Sequence, residues 1–282
     1  MKKIFFALFV LFFKVFALAS DAVILVPGFF NSFAPEYFSQ DIVRAFEQKG
    51  FKVYVAEKLN PVGSIEENGS RLLPQLQKIQ EIEKDRRLHI VSHSAGGLYS
   101  LYAIHHGKLN IKNLITISTP YAGLDFLQAL RDHSLLLKKV TDLAYLQGLR
   151  QLTPPYVDQF LKTIRVPDNL SIYAYGGYQP RSVDIWDAKN LSSVLLLTDT
   201  FIPKQSDGIV SFASSQSLRN IKTESQKSSK MYVDPHYIIN LEHWEQVLDY
   251  RNFLLLGTRN IGVIRDRQIE FYTGIANLLI RN

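Results

Sequence analysis

The stretch Leu88-His89-Ile90-Val91-Ser92-His93-Ser94-Ala95-Gly96-Gly97 decides how the rest of the chain is read. The apolar run 88–91 reads as a buried strand, and 95–106 carries apolar residues at three-to-four-residue spacing that predicts a helix. Between them stands Ser94, flanked by small residues. A serine on a tight strand-to-helix turn is held in strained backbone geometry, and its Oγ projects from the carboxyl edge of the sheet, where a nucleophile can be reached. The residues two before and two after such a serine are expected to be small, because the turn brings them together. Gly96 meets this fully, and Ser92 stands where glycine is usual. A small-x-Ser-x-Gly pattern alone is common in ordinary polar turns; the strand before it and the helix after it make it specific.

Working outward, 22–26, 51–55, 114–117 and 170–174 also read as buried strands, and 35–49 and 69–83 as helices. Strand and helix alternate, which predicts an α/β fold: a mostly parallel sheet with helices on both faces. No internal repeat and no Gly/Ser linker divides the chain. The one polar low-complexity stretch, 222–230, reads as a surface loop. From 123 to 164 the sequence is rich in leucine and has no strand-like segment. A single domain with a helical cap therefore fits better than two domains.

A serine hydroxyl is a weak nucleophile until a base removes its proton, and that base must be oriented by a carboxylate. On a strand–Ser–helix turn of this kind the partners follow in the order Ser, Asp/Glu, His. Downstream of Ser94, beyond His105 and His106 in the helix that follows it, His133, His236 and His243 remain. His133 falls in the leucine-rich insertion. His236 follows Asp234-Pro235 and is the second choice. His243, in Asn240-Leu241-Glu242-His243-Trp244-Glu245, sits where a loop enters a helix and is the expected base. Asp207, in Ser206-Asp207-Gly208-Ile209-Val210, lies in a turn before an apolar stretch and is the expected carboxylate. His93 should point away from the nucleophile, and His89, His105 and His106 read as core or surface residues.

The same chemistry needs backbone amides aimed at a developing oxyanion, and losing one donor costs about 2.7–4 kcal/mol of barrier. Ala95, directly after the nucleophile, is one candidate. Phe29, after Gly28 in Val23-Ile24-Leu25-Val26-Pro27-Gly28-Phe29, is the other, with Gly28 allowing the close approach.

Composition narrows the field. The 282 residues are 46% hydrophobic and 21% charged, which excludes a disordered or low-complexity chain. The absence of cysteine excludes a disulfide framework, a thiolate metal site, a cysteine nucleophile and a lipidated N-terminal cysteine. Residues 1–19 begin Met1-Lys2-Lys3, continue through the apolar run 4–13, and end on Ala17-Leu18-Ala19, the pattern of an export signal cleaved after Ala19. Lys14 interrupts the run, which is short of the ~20 residues that a membrane span requires. Removing Lys2, Lys3 and Lys14 from the net +6 leaves 29 basic against 26 acidic residues, so nucleic acid is not an expected partner.

Five stretches resemble the secreted bacterial triacylglycerol lipases, the true lipases of α/β-hydrolase fold: Ile24-Leu25-Val26-Pro27-Gly28-Phe29; His93-Ser94-Ala95-Gly96-Gly97; Thr116-Ile117-Ser118-Thr119-Pro120-Tyr121-Ala122-Gly123; Ser206-Asp207-Gly208-Ile209-Val210; and Glu242-His243-Trp244-Glu245. The resemblance implies Ser94 as nucleophile, Asp207 as orienting carboxylate, His243 as base, and Phe29 and Ala95 as oxyanion donors, in agreement with the residue-level reading. It also implies a lipid or small-ester substrate with no organic cofactor, transient contact with a lipid surface, and release to the periplasm or cell exterior. A dedicated folding chaperone is left open. A phospholipase, thioesterase or acyltransferase using the same three residues, or a binding protein that kept the fold without activity, are the alternatives.

Four departures stand out. Pro27 occupies a position where the family usually has His, and Ser92 one where it has Gly. The disulfide that many members carry near the catalytic Asp has no counterpart in 211–215. About 35 residues separate Asp207 from His243, longer than usual, with 222–230 as the apparent insertion. The resemblance further suggests a structural calcium beside His243. Glu245, Asp249 and Asp187 are its candidate ligands, and an acidic helix face with Asp187 in a turn is the plain alternative. In the insertion, Leu124, Leu127, Leu130, Leu136, Val140 and Leu143 recur at helical spacing. They suit either a fixed cap burying an apolar stripe or a mobile lid whose apolar face meets lipid when open.

Overall fold

A computed structural model describes residues 21–32, 36–125, 127, 147–178, 205–218, 221–225, 230–249 and 261–282. The expected export signal, Asp187, His133 and Leu130, Leu136, Val140 and Leu143 of the insertion lie outside the described residues.

Six strands form one parallel sheet in the order β2-β1-β3-β4-β6-β8. They are β1 (Ala22–Val26), β2 (Lys52–Val55), β3 (Leu88–His93), β4 (Ile111–Ile117), β6 (Ser171–Gly177) and β8 (Lys230–Ile239). A second, two-stranded sheet pairs β5 (Arg165–Val166) with β7 (Lys222–Thr223). The chain runs from β1 outward to β2, then returns to the other side of β1 to lay down β3, β4, β6 and β8. The order therefore reverses between β1 and β3, the switch point at which parallel sheets open a crevice beyond their carboxyl ends.

Residues of successive strand positions feed two separate cores. On one face Ala22, Ile24, Val26, Leu88, Ile90 and Leu114 pack with helices α2 (Ile65–Ile82) and α3 (Gly96–Gly107). On the other, Val23, Leu25, Val91, Ile115 and Ile117 pack with α1 (Gln40–Glu47) and α7 (Ile261–Arg281). Burial on both faces is why the inner strands read as continuous apolar runs rather than alternating ones. Ser39 and Ser64 cap the first turns of α1 and α2, accepting from the Ile42 and Glu67 amides, so α2 starts four residues earlier than its apolar spacing indicated.

The expected helical character of 123–164 holds for the described part, as α4 (Gln147–Gln151) and α5 (Pro154–Thr163), the latter with proline in its first turn. The reading of 222–230 as a loop is corrected: Lys222 and Thr223 form β7, and Lys230 opens β8. β8 escaped notice because Pro235 interrupts it. An edge strand tolerates that proline, having one unpaired side. The pairing of β8 with β6 shifts register between Ala174 and Gly176. α7, also not anticipated, alternates a buried stripe (Ile264, Gln268, Phe271, Ile275, Leu279) with charged residues.

Candidate active site

Ser94 sits on the turn between β3 and α3 with φ +54°, a left-handed conformation that side chains other than glycine adopt only under constraint. The constraint is visible. The Ser94 amide donates to the Ile117 carbonyl at 2.8 Å, and Thr119 Oγ1 donates to the Ser94 carbonyl at 2.8 Å. Its own hydroxyl makes no hydrogen bond among the described residues, although the residue is only 7% exposed.

The small residues around Ser94 are required for a reason other than the one expected. A Cβ on Gly96 would lie 2.6 Å from the Val26 carbonyl and 2.7 Å from that of Pro27. A Cβ on Gly28 would lie 2.7 Å from the His93 carbonyl and 2.7 Å from Ser94 Cβ. It is the turn after β1 that presses on the turn after β3, glycine against backbone in both directions. Ser92 is free to carry a side chain because its Oγ turns away to the Ile115 carbonyl, 3.1 Å distant. The pressed turns bring the Phe29 and Ala95 segments side by side. Neither amide donates to another described group, whereas that of Phe30 (φ +58°) is held by the Pro61 carbonyl at 2.7 Å.

Asp207 is fully buried in a turn tied by its own side chain: Oδ1 accepts from the amides of Ile209 (3.0 Å) and Val210 (2.8 Å), and Gly208 takes φ +96°. Its other oxygen, Oδ2, meets His243 Nδ1 at 2.8 Å. A second tie joins the backbones, from the His243 amide to the Asp207 carbonyl at 2.9 Å. Burial alone would raise the Asp207 pKa. The His243 charge and hydrogen bond, the Ser118 hydroxyl and the Val210 amide outweigh it and hold the carboxyl below its ordinary range. His243 does not open a regular helix, as its sequence suggested, but a run of turns in which Leu248 bonds back to the Trp244 carbonyl. The side chain of His236, the second choice as base, lies outside the described residues.

His93, read from sequence as a residue pointing away from the nucleophile, is buried against the expected base. Its ring centroid is 4.5 Å from that of His243, and its Nδ1 is 2.7 Å from the Tyr37 hydroxyl. Gln246 Nε2 donates to Asp207 Oδ2 at 3.0 Å. Neither Tyr37 nor Gln246 was singled out from sequence. The spacing of Gln246 three residues after His243, on one turn, is the signal that marks it.

The expected metal ligands divide. Glu245 and Asp249 are both buried, and Glu245 Oε2 accepts from the Glu242 amide at 2.9 Å. Among the described residues no three acids or histidines gather. Glu245 Oε2 is thus engaged in its own turn, and Asp187, the third candidate, lies outside the described residues.

The Thr119-Pro120-Tyr121-Ala122-Gly123 element runs up against α5 and the residues before it. Gly123 has φ +81°, and a Cβ there would fall 2.4 Å from the nitrogen of Pro154, the first residue of α5. Leu124 donates to the Leu152 carbonyl at 2.7 Å. Gly148 of α4 packs within van der Waals reach of the Phe29 ring, where a Cβ would lie 2.5 Å from Phe29 Cε2.

Comparison with known proteins agrees with this architecture. The chain is 32% identical over 146 residues to triacylglycerol lipase 2 of Saccharomyces cerevisiae, a match covering 48% of this chain and 44% of the yeast protein. The chain thus spans less than half the length of that curated relative. Solved structures of similar fold include a metagenomic carboxyl esterase (TM-score 0.70, 14% identity, 94% of this chain and 77% of the other). The Staphylococcus hyicus lipase is another (TM-score 0.63, 16% identity, 93% and 95%). Residues 21–194 match the family model described as alpha/beta hydrolase fold. With a parallel sheet in the order β2-β1-β3-β4-β6-β8 and this match over more than half its length, the chain belongs to the alpha/beta hydrolase fold family.

Proposed function

We propose that the protein is an exported serine ester hydrolase acting on carboxylic esters, with triacylglycerols as the leading substrate class. The observation that carries the reading is a serine held at φ +54° beyond β3, together with a buried His243–Asp207 pair joined at 2.8 Å, whose imidazole lies 4.5 Å, ring to ring, from His93, the residue before the serine.

Ser94 Oγ attacks the ester carbonyl while His243 Nε2 takes its proton. Asp207, ionised in its buried turn, keeps the Nδ1 proton pointed at itself and stabilises the imidazolium that forms. The amides of Phe29 and Ala95, unengaged elsewhere, receive the oxyanion of the tetrahedral intermediate. His243 returns the proton to the departing alkoxide, leaving an acyl-Ser94 ester. Water, deprotonated by His243, adds to that ester. Collapse of the second intermediate releases the acid and restores the Ser94 hydroxyl.

Support for lipids as substrate comes from the similarity to the yeast triacylglycerol lipase and from the close approach of Gly148 to the Phe29 ring. Export rests on the leader-like 1–19, and intact-mass measurement of the protein from its host should find it beginning at Ser20. Ser94→Ala is expected to abolish ester hydrolysis and fluorophosphonate labelling in a folded protein; retained turnover would overturn the assignment. A panel of triacylglycerols, soluble short-chain esters, phospholipids and thioesters separates lipase from esterase, phospholipase and thioesterase.

A further inference from the structure

The pair His243–Asp207 does not end at Asp207. Oδ2 of that carboxylate accepts a second hydrogen bond, from Gln246 Nε2, which also reaches the Leu241 carbonyl at 3.3 Å. Gln246 is wholly buried, and room for it is reserved: a Cβ on Gly177, the last residue of β6, would stand 2.2 Å from its Nε2. Its backbone carbonyl is held as well, by the Tyr272 hydroxyl of α7 at 3.1 Å. Its Oε1, however, is buried with no partner, and so is Nε2 of His93. The two residues are neighbours: the groups that bear on the His93 ring include the Gln246 side chain and the His243 backbone.

We propose that Gln246 is a positioning residue for the His243–Asp207 pair, and that His93, fixed by Tyr37, sets which way its amide points. The proposal rests on Asp207 and His243 acting as described above. The Tyr37 phenol keeps its proton, because burial raises its pKa far above the usual range. That proton is directed to His93 Nδ1, 2.7 Å away, the hydrogen-bond partner of the phenol among the described residues. His93 then carries its one proton on Nε2. Burial, reinforced by the neighbouring His243 charge, keeps its pKa well below the ordinary value, so it stays neutral at pH 7. A neutral ring with hydrogen on Nε2 faces an oxygen, not an NH2. Gln246 is thereby oriented with Oε1 toward His93 and its amide hydrogens toward Asp207 Oδ2 and the Leu241 carbonyl. Had the ring carried its proton on Nδ1, the amide would reverse and present an oxygen to the carboxylate. Other titratable groups near this line are Tyr99 and Tyr272, which both bear on the Tyr37 phenol, and, in the same run of turns, the buried Glu242, Glu245 and Asp249.

This gives the carboxylate a fixed second donor. It restrains the rotation of Asp207 and lowers the basicity of the oxygen facing His243, so it sets the pH at which His243 is free to act as base. The test compares Gln246→Leu, nearly isosteric but without donor or acceptor, and Tyr37→Phe, which deletes one hydroxyl. Each would be assayed for kcat and KM on a soluble chromogenic ester from pH 5 to 9, beside the parent and Ser94→Ala. For Gln246→Leu, kcat should fall about 10- to 100-fold, the range for a lost hydrogen bond to a charged group, with KM changed less than about twofold. The acidic limb of kcat should move up by about half a pH unit or more, because the carboxylate, short of a donor, holds the imidazolium more tightly. Tyr37→Phe should move the limb the same way by a smaller amount. If Gln246→Leu does not fold, Tyr37→Phe alone decides. A limb superimposable on the parent's in the folded variants overturns the proposal while Ser94→Ala remains dead. An active Ser94→Ala overturns the underlying assignment instead.

Discussion

Replacing Asp207 with asparagine separates the chemical role of the carboxylate from its structural one. Oδ1 accepts two backbone amides, at 3.0 Å and 2.8 Å. An asparagine that kept its oxygen there would lose neither. Turning its NH2 toward those amides would break both, at about 1–3 kcal/mol for each donor left unsatisfied. The oxygen therefore stays, and the NH2 takes the place of Oδ2, facing His243 Nδ1 and Gln246. Gln246 can reverse to offer its Oε1, at the expense of the 3.3 Å bond to Leu241 and of an NH2 turned toward His93. His243 can accept from the new NH2 only by moving its own proton to Nε2, the atom that must receive the proton of Ser94. Stability should thus fall by no more than about 3 kcal/mol. The rate should drop about 10⁴-fold, or ~5.4 kcal/mol of barrier, as expected for the wrong tautomer beside a serine nucleophile. Hydrolysis of a p-nitrophenyl ester and a urea melt on the same preparation measure both. A kcat within tenfold of the parent, in a protein of near-parent stability, would refute the reasoning that Asp207 sets the tautomer.

Three further outcomes follow from the geometry. Gly28→Ala forces a methyl to 2.7 Å from the His93 carbonyl and Ser94 Cβ; the overpacking should cost about 1–3 kcal/mol and the displaced serine about 10²-fold in kcat, read by thermal melting and steady-state kinetics. Thr119→Val keeps the shape but strips the hydroxyl from the buried Ser94 carbonyl; a loss of about 1–3 kcal/mol in urea unfolding is expected, and an unchanged midpoint would count against it. His89 is buried with its pKa lowered to about 4, mainly by burial, and His93 is depressed for the same reason. Between those values and the unfolded value near 6.5 the unfolded chain binds the extra protons, so stability should fall as pH drops below 6.5, by up to about 1.4 kcal/mol per pH unit for each histidine. Equal urea midpoints at pH 7 and pH 5 would contradict both burials.

The architecture was legible where local and global signals coincide. The five strands read from 22–26, 51–55, 88–91, 114–117 and 170–174 correspond to β1, β2, β3, β4 and β6; β1, β3 and β4 are buried along nearly their whole length, which makes their runs apolar, whereas β2 at the edge and β6 are half-exposed. β8 was not legible, because it lies at the sheet edge, where Lys230, Asp234 and Pro235 carry little penalty. Two features of the site follow the same logic. Asp207-Gly208 announces itself because its turn is local: Oδ1 reaches amides two and three residues on. Gln246 and Tyr37 do not, because their contacts form only when distant segments meet. Tyr37 and His93 are 56 residues apart, and Asp207 and Gln246 are 39 apart.

The glycines show what such distance does to interpretation. Sequence spacing offered Ser92 as the nearest explanation for a small residue at Gly96, since both flank Ser94. The contact that excludes a side chain there comes from Val26 and Pro27, some 70 residues earlier, and the reciprocal exclusion at Gly28 comes from the segment carrying Ser94. A motif that looks like one turn is therefore half of an interface between two turns at the switch point of the sheet. Ser92 in place of glycine disturbs nothing, because its hydroxyl leaves through β4. Pro27 in place of histidine is accommodated too, because only its backbone carbonyl meets Gly96. The invariants that the geometry demands here are Gly28 and Gly96 together, and a substitution at either should be rescued by none at Ser92.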